Sequence, residues 1–143
     1  FIMVLLLGEY FFPLIGLPQL DIGDEYLALV FLTVFLSFAA IGYGLLIGTV
    51  FNAPPQASIF GGISILIMSA LGGVWVPVNL MSESMKYIAE FSPLNWALTG
   101  YYELFIKGSG WEEIQLNVLK LFSFFVLCIT SSYLLYKAKH RFQ

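Results

Sequence analysis

The chain has 143 residues, of which 59% are hydrophobic and only 10% charged, and its formal net charge is −3. A soluble domain carries about 25% charged residues, so this composition excludes an ordinary soluble fold. A negative net charge without a basic stripe also excludes nucleic acid as a partner. We predict one all-α integral membrane domain over residues 1–143, with the lipid bilayer as its surroundings.

The first apolar segment covers residues 1–17 and is short for a membrane span. It begins at Phe1 without a charged segment before it, which is not typical of a signal peptide. We therefore expect a fragment whose N-terminal part is missing. Glu9 lies inside this segment, and a carboxylate within an apolar span is a candidate for a transport path. The alternative is that Glu9 lies near the outer end of the segment, close to Pro13.

Two further spans are predicted between the acidic turn at residues 18–25 and the next charged residue, Glu83. They cover residues 26–51 and 57–76, each long enough to cross a bilayer. The sequence NAPPQ between them contains two consecutive prolines, which predict a tight turn. Their continuous apolar runs favour helices over a β-barrel, whose strands would alternate apolar and polar residues.

Small residues recur at every fourth position in the second predicted span. Ala40, Gly44 and Gly48 form a ridge that is typical of close helix–helix contact in membranes. The surrounding sequence GYGLLIG has the wrong glycine spacing for a nucleotide-binding loop and lies within an apolar span. We therefore predict helix packing at these three positions.

The third span is predicted to end near Gly72 and Gly73, because glycine weakens a helix and Pro77 disfavours its continuation. The chain becomes polar after this proline. Residues 80–91 have the pattern of a short amphipathic helix, with Met81 on the apolar face.

A second short helix is predicted from Pro93, since Ser92 is a suitable N-cap and proline is favoured at the first helical position. Its polar side chains recur every fourth residue: Asn95, Thr99, Glu103 and Lys107. Glu103 is either a latch at an outer gate or one half of a local ion pair. The helix is too short to cross a bilayer. Residues 77–108 are therefore predicted to form a re-entrant extracellular hairpin, or alternatively to lie flat on the headgroups.

The last span is predicted over residues 114–136 and is followed by the basic tail KAKHRFQ. Clustered basic residues favour the cytoplasmic side of a membrane, and this tail carries Lys137, Lys139 and Arg141. This pattern predicts a multi-pass protein of the inner (cytoplasmic) membrane, with its C-terminus in the cytoplasm.

No catalytic, cofactor or metal site is predicted. Cys128 is the only cysteine and His140 the only histidine, so the chain offers neither an internal disulfide nor a cluster of metal ligands. No P-loop sequence occurs in the chain.

The stretch LGGVWVPVNLMSESMKYIAEFSPLNWALTGYYELFIKG resembles the C-terminal region of ABC-2 type exporter permeases. In that family a glycine-rich span end precedes a proline, a methionine, an amphipathic stretch and a Pro-Leu-x-Trp-Ala-like block. The corresponding residues here are Gly72, Gly73, Pro77, Met81, Pro93, Leu94, Trp96 and Ala97. The resemblance covers about residues 26–136. Ser82 and Asn52 depart from it, since the family often has a proline and a basic residue there.

The resemblance implies a six-span permease, of which this chain would hold roughly the last four spans and the re-entrant hairpin. It implies a homo- or heterodimer with a second permease copy and two cytoplasmic ABC ATPase subunits. ATP would bind to those partners, and the coupling helix that contacts them would precede Phe1. The implied function is ATP-driven export of a substrate from the cytoplasm.

Two other function classes remain open. A membrane channel or assembly protein would work without an ATPase partner, so a co-purifying ATPase separates it from an exporter. An intramembrane enzyme would need clustered catalytic residues within the spans, and Glu9 alone does not provide them. We therefore expect the chain not to be an enzyme. The substrate class is open between drugs, lipids, glycans and peptides.

Overall fold

The computed structural model describes residues 3, 7–16 and 26–141, and every regular element within these ranges is helical. The helices beyond residue 25 are α1 (Tyr26–Val50), α2 (Pro54–Leu71), α3 (Glu83–Ala89), α4 (Pro93–Phe105) and α5 (Trp111–Arg141), with a 3-10 turn at Val78–Leu80. By length and composition, α1, α2 and the Trp111–Lys139 part of α5 can each cross a membrane. The predicted all-helical membrane class is confirmed.

The first predicted span is described only in part. Leu7–Phe11 forms a π-helical turn and Phe12–Leu14 a single α-helical turn, after which Gly16 has a positive φ of 76°. The rest of segment 1–17 lies outside the described residues, and so does the side chain of Glu9. The count of four spans and a transport role for Glu9 therefore stay predictions.

Both ends of α2 follow from the sequence around them. The helix begins within the predicted turn, because Pro54 and Pro55 occupy its first positions, where their missing N–H groups are not needed. It ends at Leu71, short of the predicted end at Val76, because Gly73 has a φ of 91° and interrupts the helical path. Pro54 and Pro55 thus end the turn after α1 and also begin α2.

α5 extends beyond the predicted span 114–136 at both ends. It begins at Trp111, and Glu112 and Glu113 in its first turn are favourable at the positive end of the helix dipole. It continues through the basic tail to Arg141, and positive charge is favourable at the other end. The charged residues that bound the apolar run therefore belong to the helix.

The core lies where α1, α4 and α5 meet. Leu32 of α1 and Ile114 and Leu121 of α5 are fully buried there. α4 approaches closely at Gly100, where an added Cβ would lie 2.9 Å from Leu32 Cδ1. The other buried members of this core are Ala28, Leu29, Ala39, Leu104 and Val118. The hairpin helix α4 is thus part of the bundle and not a peripheral addition.

α1 and α5 remain in close contact beyond this core. The rings of Phe35 and Phe122 pack edge to face with their centroids 5.6 Å apart. A Cβ added at Gly42 would lie 2.8 Å from Phe125 Cδ2, 3.3 Å from the Phe125 carbonyl oxygen and 3.4 Å from Cys128 Cβ. The absence of a side chain at Gly42 therefore allows the two helices to approach.

The C-terminal end of α1 is bound by Lys139 of α5. Its Nζ donates to the carbonyl oxygens of Thr49 (2.5 Å) and Val50 (3.2 Å) and to Asn52 Oδ1 (2.8 Å). The last carbonyls of a helix have no partner within it, and a positive charge there is favourable. The hydroxyls of Thr49 and Ser132 add a hydrogen bond of 2.7 Å. Lys139 therefore holds α5 against α1 and against the turn that leads to α2.

α2 lies at the edge of the bundle and contributes no buried residue. The hydroxyls of Tyr43 and Ser64 form a hydrogen bond between α1 and α2. The rings of Phe51 and Phe60 stack with their centroids 4.7 Å apart. Most of the α2 surface is apolar and faces away from the rest of the chain, as expected of a helix that contacts lipid or another helix.

The contact at Gly42 predicts opposite effects for two alanine substitutions in α1. Gly42→Ala should lower the free energy of unfolding by about 1 kcal/mol through overpacking against Phe125. Gly44→Ala should leave it unchanged or raise it, because an added Cβ there meets nothing within 4 Å and alanine favours the helix. Thermal denaturation of the two variants in mild detergent measures the difference, and equal midpoints would contradict the described packing.

Lys139 and Lys137 offer a matched pair on the last turns of α5. Lys139→Met removes the ammonium from the end of α1 and keeps the aliphatic stem, so we expect its thermal midpoint to fall by a few degrees. Lys137→Met, an exposed position, should have the midpoint of the wild type. The double variant Asn52→Ala, Lys139→Met should lower the thermal midpoint by less than the sum of the two single changes. Strict additivity would show that the hydrogen bond between Lys139 and Asn52 contributes nothing to stability.

Candidate functional site at the hairpin

The end of α2 has no room for side chains. A Cβ added at Gly72 would lie 2.7 Å from the Met68 carbonyl oxygen and 2.8 Å from Ser92 Oγ. A Cβ added at Gly73 would lie 2.6 Å from Val78 Cγ2, and the φ of 91° there already favours glycine. These two glycines therefore let the hairpin fold back directly onto the end of the span.

The first turn of α4 supplies hydrogen-bond donors to the last turn of α2. Ser92 Oγ donates to the Met68 carbonyl oxygen (3.2 Å), and Asn95 Nδ2 donates to the Gly72 carbonyl oxygen (3.1 Å). Ser92 occupies the N-cap position of α4 as predicted, but its side chain makes no capping bond to that helix. Pro93 is buried at the first helical positions. The predicted start of α4 thus also completes the end of α2.

The corner between α3 and α4 is fixed by Trp96 and two buried apolar side chains. Trp96 Nε1 donates to the Glu90 carbonyl oxygen at 2.6 Å, and its ring lies edge-on to Phe124 of α5. Met81 and Ala89, before and within α3, are buried. Met81 and Trp96 therefore hold the hairpin in place, whereas Pro77 is exposed before the 3-10 turn.

The polar stripe predicted along α4 divides into two parts. Its second half forms an ion pair, with Lys107 Nζ 2.7 Å from Glu103 Oε1. Ser109 donates from Oγ to Glu103 Oε2 (3.2 Å) and from its backbone N to the Glu103 carbonyl oxygen (3.0 Å). The hydrogen bond from Lys107 holds the pKa of the Glu103 carboxyl below its usual value, and Glu103 in turn raises the pKa of Lys107. Glu103 thus shapes the loop into α5, and a gating role stays a prediction.

The first half of the stripe lines a cleft of about 560 Å³, which we call the hairpin cleft. Its walls are the loop after α2 and one face of α4: Gly73, Pro77, Val78, Asn95, Leu98, Thr99 and Tyr102. The α4 members recur at the spacing of one helical face, while Pro93, Ala97, Gly100 and Leu104 on the other face are buried. The cleft therefore combines amide and hydroxyl groups with apolar surface, and none of the described side chains that line it is charged.

The predicted packing ridge on α1 has no partner helix among the described residues. Ala40, Gly44 and Gly48 are exposed, and a Cβ added at either glycine meets nothing within 4 Å. Gly44 and Gly48 instead line a shallow groove of about 260 Å³ beside α2. Packing of a helix from elsewhere onto this ridge stays a prediction.

Clusters of three or more histidine, cysteine, aspartate or glutamate side chains are absent from the described residues. The described site is a cleft lined by hydrogen-bonding and apolar groups. Sequence reasoning missed that Ser92 and Asn95 bind the carbonyls of α2. The sequence pattern that could have indicated this contact is a pair of glycines at the end of α2 together with Ser92 and Asn95 at the start of α4.

The Glu103–Lys107 pair predicts a pH-dependent stability. A carboxyl with a lowered pKa contributes stability that is present above its unfolded pKa and lost as the pH falls through its folded pKa. Lys107, whose pKa is raised, contributes stability that is present below its unfolded pKa and lost as the pH rises through its folded pKa. Thermal midpoints of wild type and Glu103→Gln should therefore differ at neutral pH and converge at both extremes. A difference that is constant with pH would contradict the ion pair.

Comparisons with known proteins identify the family of the chain. Residues 1–106 match the ABC-2 type transporter family, a region that runs from the first segment to the end of α4. Over 92 residues the chain is 29% identical to the linearmycin resistance permease protein LnrN of Bacillus subtilis (strain 168), which covers 64% of this chain. The chain spans about a quarter (24%) of the length of that curated relative. No solved structure matches. The chain belongs to the ABC-2 type transporter family.

Proposed function

We propose that the chain is part of the permease subunit of an ATP-driven exporter. The family match over residues 1–106 is the observation that carries this proposal. Members of this family work with an ABC ATPase, so we propose that a separate ATPase subunit supplies the energy. The relative named as a linearmycin resistance permease supports efflux, since removal of a toxic compound from the cytoplasm gives resistance. The working unit would contain a second permease copy, identical or related.

We place the hairpin on the outer side of the inner membrane and the end of α5 in the cytoplasm. Support comes from Lys137 and Lys139 at the end of the last candidate span, because basic residues favour the cytoplasmic side. Trp75, with 70% of its surface exposed beside the end of α2, is a suitable residue for the opposite interface.

The contacts of α4 support re-entry into the membrane over a position flat on the headgroups. Gly100 packs on Leu32 of α1, and the Trp96 ring lies 6.3 Å from that of Phe124 of α5, centroid to centroid. Both partners lie more than one helical turn inside candidate spans. A helix lying on the surface would contact only the first turn of each span.

In this proposal α1, α4 and α5 form the rigid part of the permease, since they share the buried core. α2 has no buried residue. It is held by the turn that Lys139 binds, by the hydrogen bond between Tyr43 and Ser64, and by Ser92 and Asn95 at its end. A displacement of α2 during the ATP cycle would therefore pull directly on the start of α4. Since α4 belongs to the rigid part, these hydrogen bonds would limit how far the outer end of α2 moves.

Purification of the full-length permease in mild detergent tests this function. We expect an ATPase with a P-loop to co-purify and the complex to hydrolyse ATP in a vanadate-sensitive manner. The matched control is a preparation in which the ATPase carries a P-loop Lys→Ala substitution, which should assemble without turnover. Repeated purification without any ATPase would instead favour a channel or an assembly protein.

A further inference from the structure

The hairpin cleft has the dimensions of a small-molecule site. Its volume of about 560 Å³ lies within the range of roughly 300–1,000 Å³ that is typical of ligand pockets. One wall is the loop that contains Gly73, Pro77 and Val78, and the other is the face of α4 from Asn95 to Tyr102. Asn95, on the α4 wall, donates a hydrogen bond to the Gly72 carbonyl oxygen at the end of α2. This bond connects the two walls of the cleft.

The lining of the cleft combines hydrogen-bonding groups with apolar surface. The side-chain carbonyl of Asn95 keeps acceptor capacity, because the bond to Gly72 uses only its NH₂ group. The hydroxyls of Thr99 and Tyr102 each can donate and accept, and both side chains are exposed. Leu98, Pro77 and Val78 supply the apolar surface. Such a lining fits a molecule with an apolar body and a few hydroxyl or carbonyl groups.

The electrostatics of the cleft disfavour a charged ligand. Among the residues that the structure describes, no charged side chain lines it. Lys107 Nζ lies 5.8 Å from the ring centroid of Tyr102, which lines the cleft, but it is already paired with Glu103 at 2.7 Å. A charged ligand would therefore find no unpaired counter-ion among these described lining residues.

We propose that the hairpin cleft binds an uncharged amphiphile, an apolar body that carries hydroxyl or carbonyl groups. The binding follows from the size, lining and charge of the cleft. Its identification as the substrate class released at this side of the membrane rests on the proposed function. Asn95, Thr99 and Tyr102 are the residues that would contact the polar groups of the ligand.

Protection of an introduced cysteine tests the binding. The full-length permease carries Thr99→Cys in the cleft or, as the control, Ser84→Cys on the exposed face of α3, in phosphatidylcholine nanodiscs. The rate of labelling by a membrane-impermeant maleimide is measured with each of three amphiphiles added separately. All three have the same decyl tail and are used below their micellar concentrations. These are decyl glucoside (neutral), decyltrimethylammonium (cationic) and decyl sulfate (anionic). We expect decyl glucoside alone to slow labelling of Thr99→Cys, about tenfold at saturation, and to leave Ser84→Cys unchanged.

Three results would overturn the proposal. Equal protection by the charged amphiphiles would show that the cleft does not select for neutrality. Equal protection of Ser84→Cys would show a general effect of the bilayer. A Thr99→Cys that does not react even without added amphiphile would show a cleft already closed by a resident lipid or by another part of the protein.

A hydroxyl deletion tests the contacts within the cleft. Tyr102→Phe in the Thr99→Cys protein should weaken protection by decyl glucoside about fivefold, the effect of one ordinary hydrogen bond. Tyr87→Phe removes the same hydroxyl from an exposed tyrosine of α3 and should have no effect. Unchanged protection in Tyr102→Phe would show that the Tyr102 hydroxyl does not contact the ligand. Protection does not depend on ATP, so it can succeed where the ATPase test fails, and the two proposals are separately refutable.

Discussion

The carbonyl groups at the end of α2 need hydrogen-bond donors, and the hairpin depends on how they obtain them. Within or near a bilayer an unpaired backbone group costs several kcal/mol, because water is not available to replace the partner. Asn95 of α4 supplies the donor for the Gly72 carbonyl, and Ser92 adds a second donor to the Met68 carbonyl, which also accepts from the backbone N of Gly72. Gly72 and Gly73 leave the space for the start of α4 to approach. Together with the core that α4 shares with α1 and α5, this junction positions α4 and the hairpin cleft.

Local signals in the sequence are sufficient for the three candidate spans among the described residues and for the hairpin helix. Continuous apolar runs identified α1, α2 and α5, and Ser92 before Pro93 located the start of α4. Boundaries were less predictable where one residue type has two roles. The sequence predicts a tight turn at Pro54, and in the structure this proline is also at the first position of α2, where proline is favoured. The glutamates before the last apolar run likewise belong to α5.

Contacts between distant elements could not be predicted, because spacing along one helix does not reveal what faces it. The ridge of Gly44 and Gly48 has the spacing of a packing face, but within the described chain the close approach occurs at Gly42, on a different face of α1. The spacing of Glu103 and Lys107 correctly predicted their ion pair. It did not predict that Asn95, on the same stripe, binds the end of α2, since that depends on residues 23 positions earlier.

The contact between Lys139 and the end of α1 has a consequence for biosynthesis. α1 is translated before α5, and Lys139 leaves the ribosome almost 90 residues after Thr49 and Val50. Until then the carbonyls of Thr49 and Val50 lack this partner, and the core residues Ile114 and Leu121 are also missing. α1 and α2 must therefore remain in the bilayer without these partners until α5 is made. A nascent chain truncated before α5 would expose the surfaces of α1 and α4 that α5 buries.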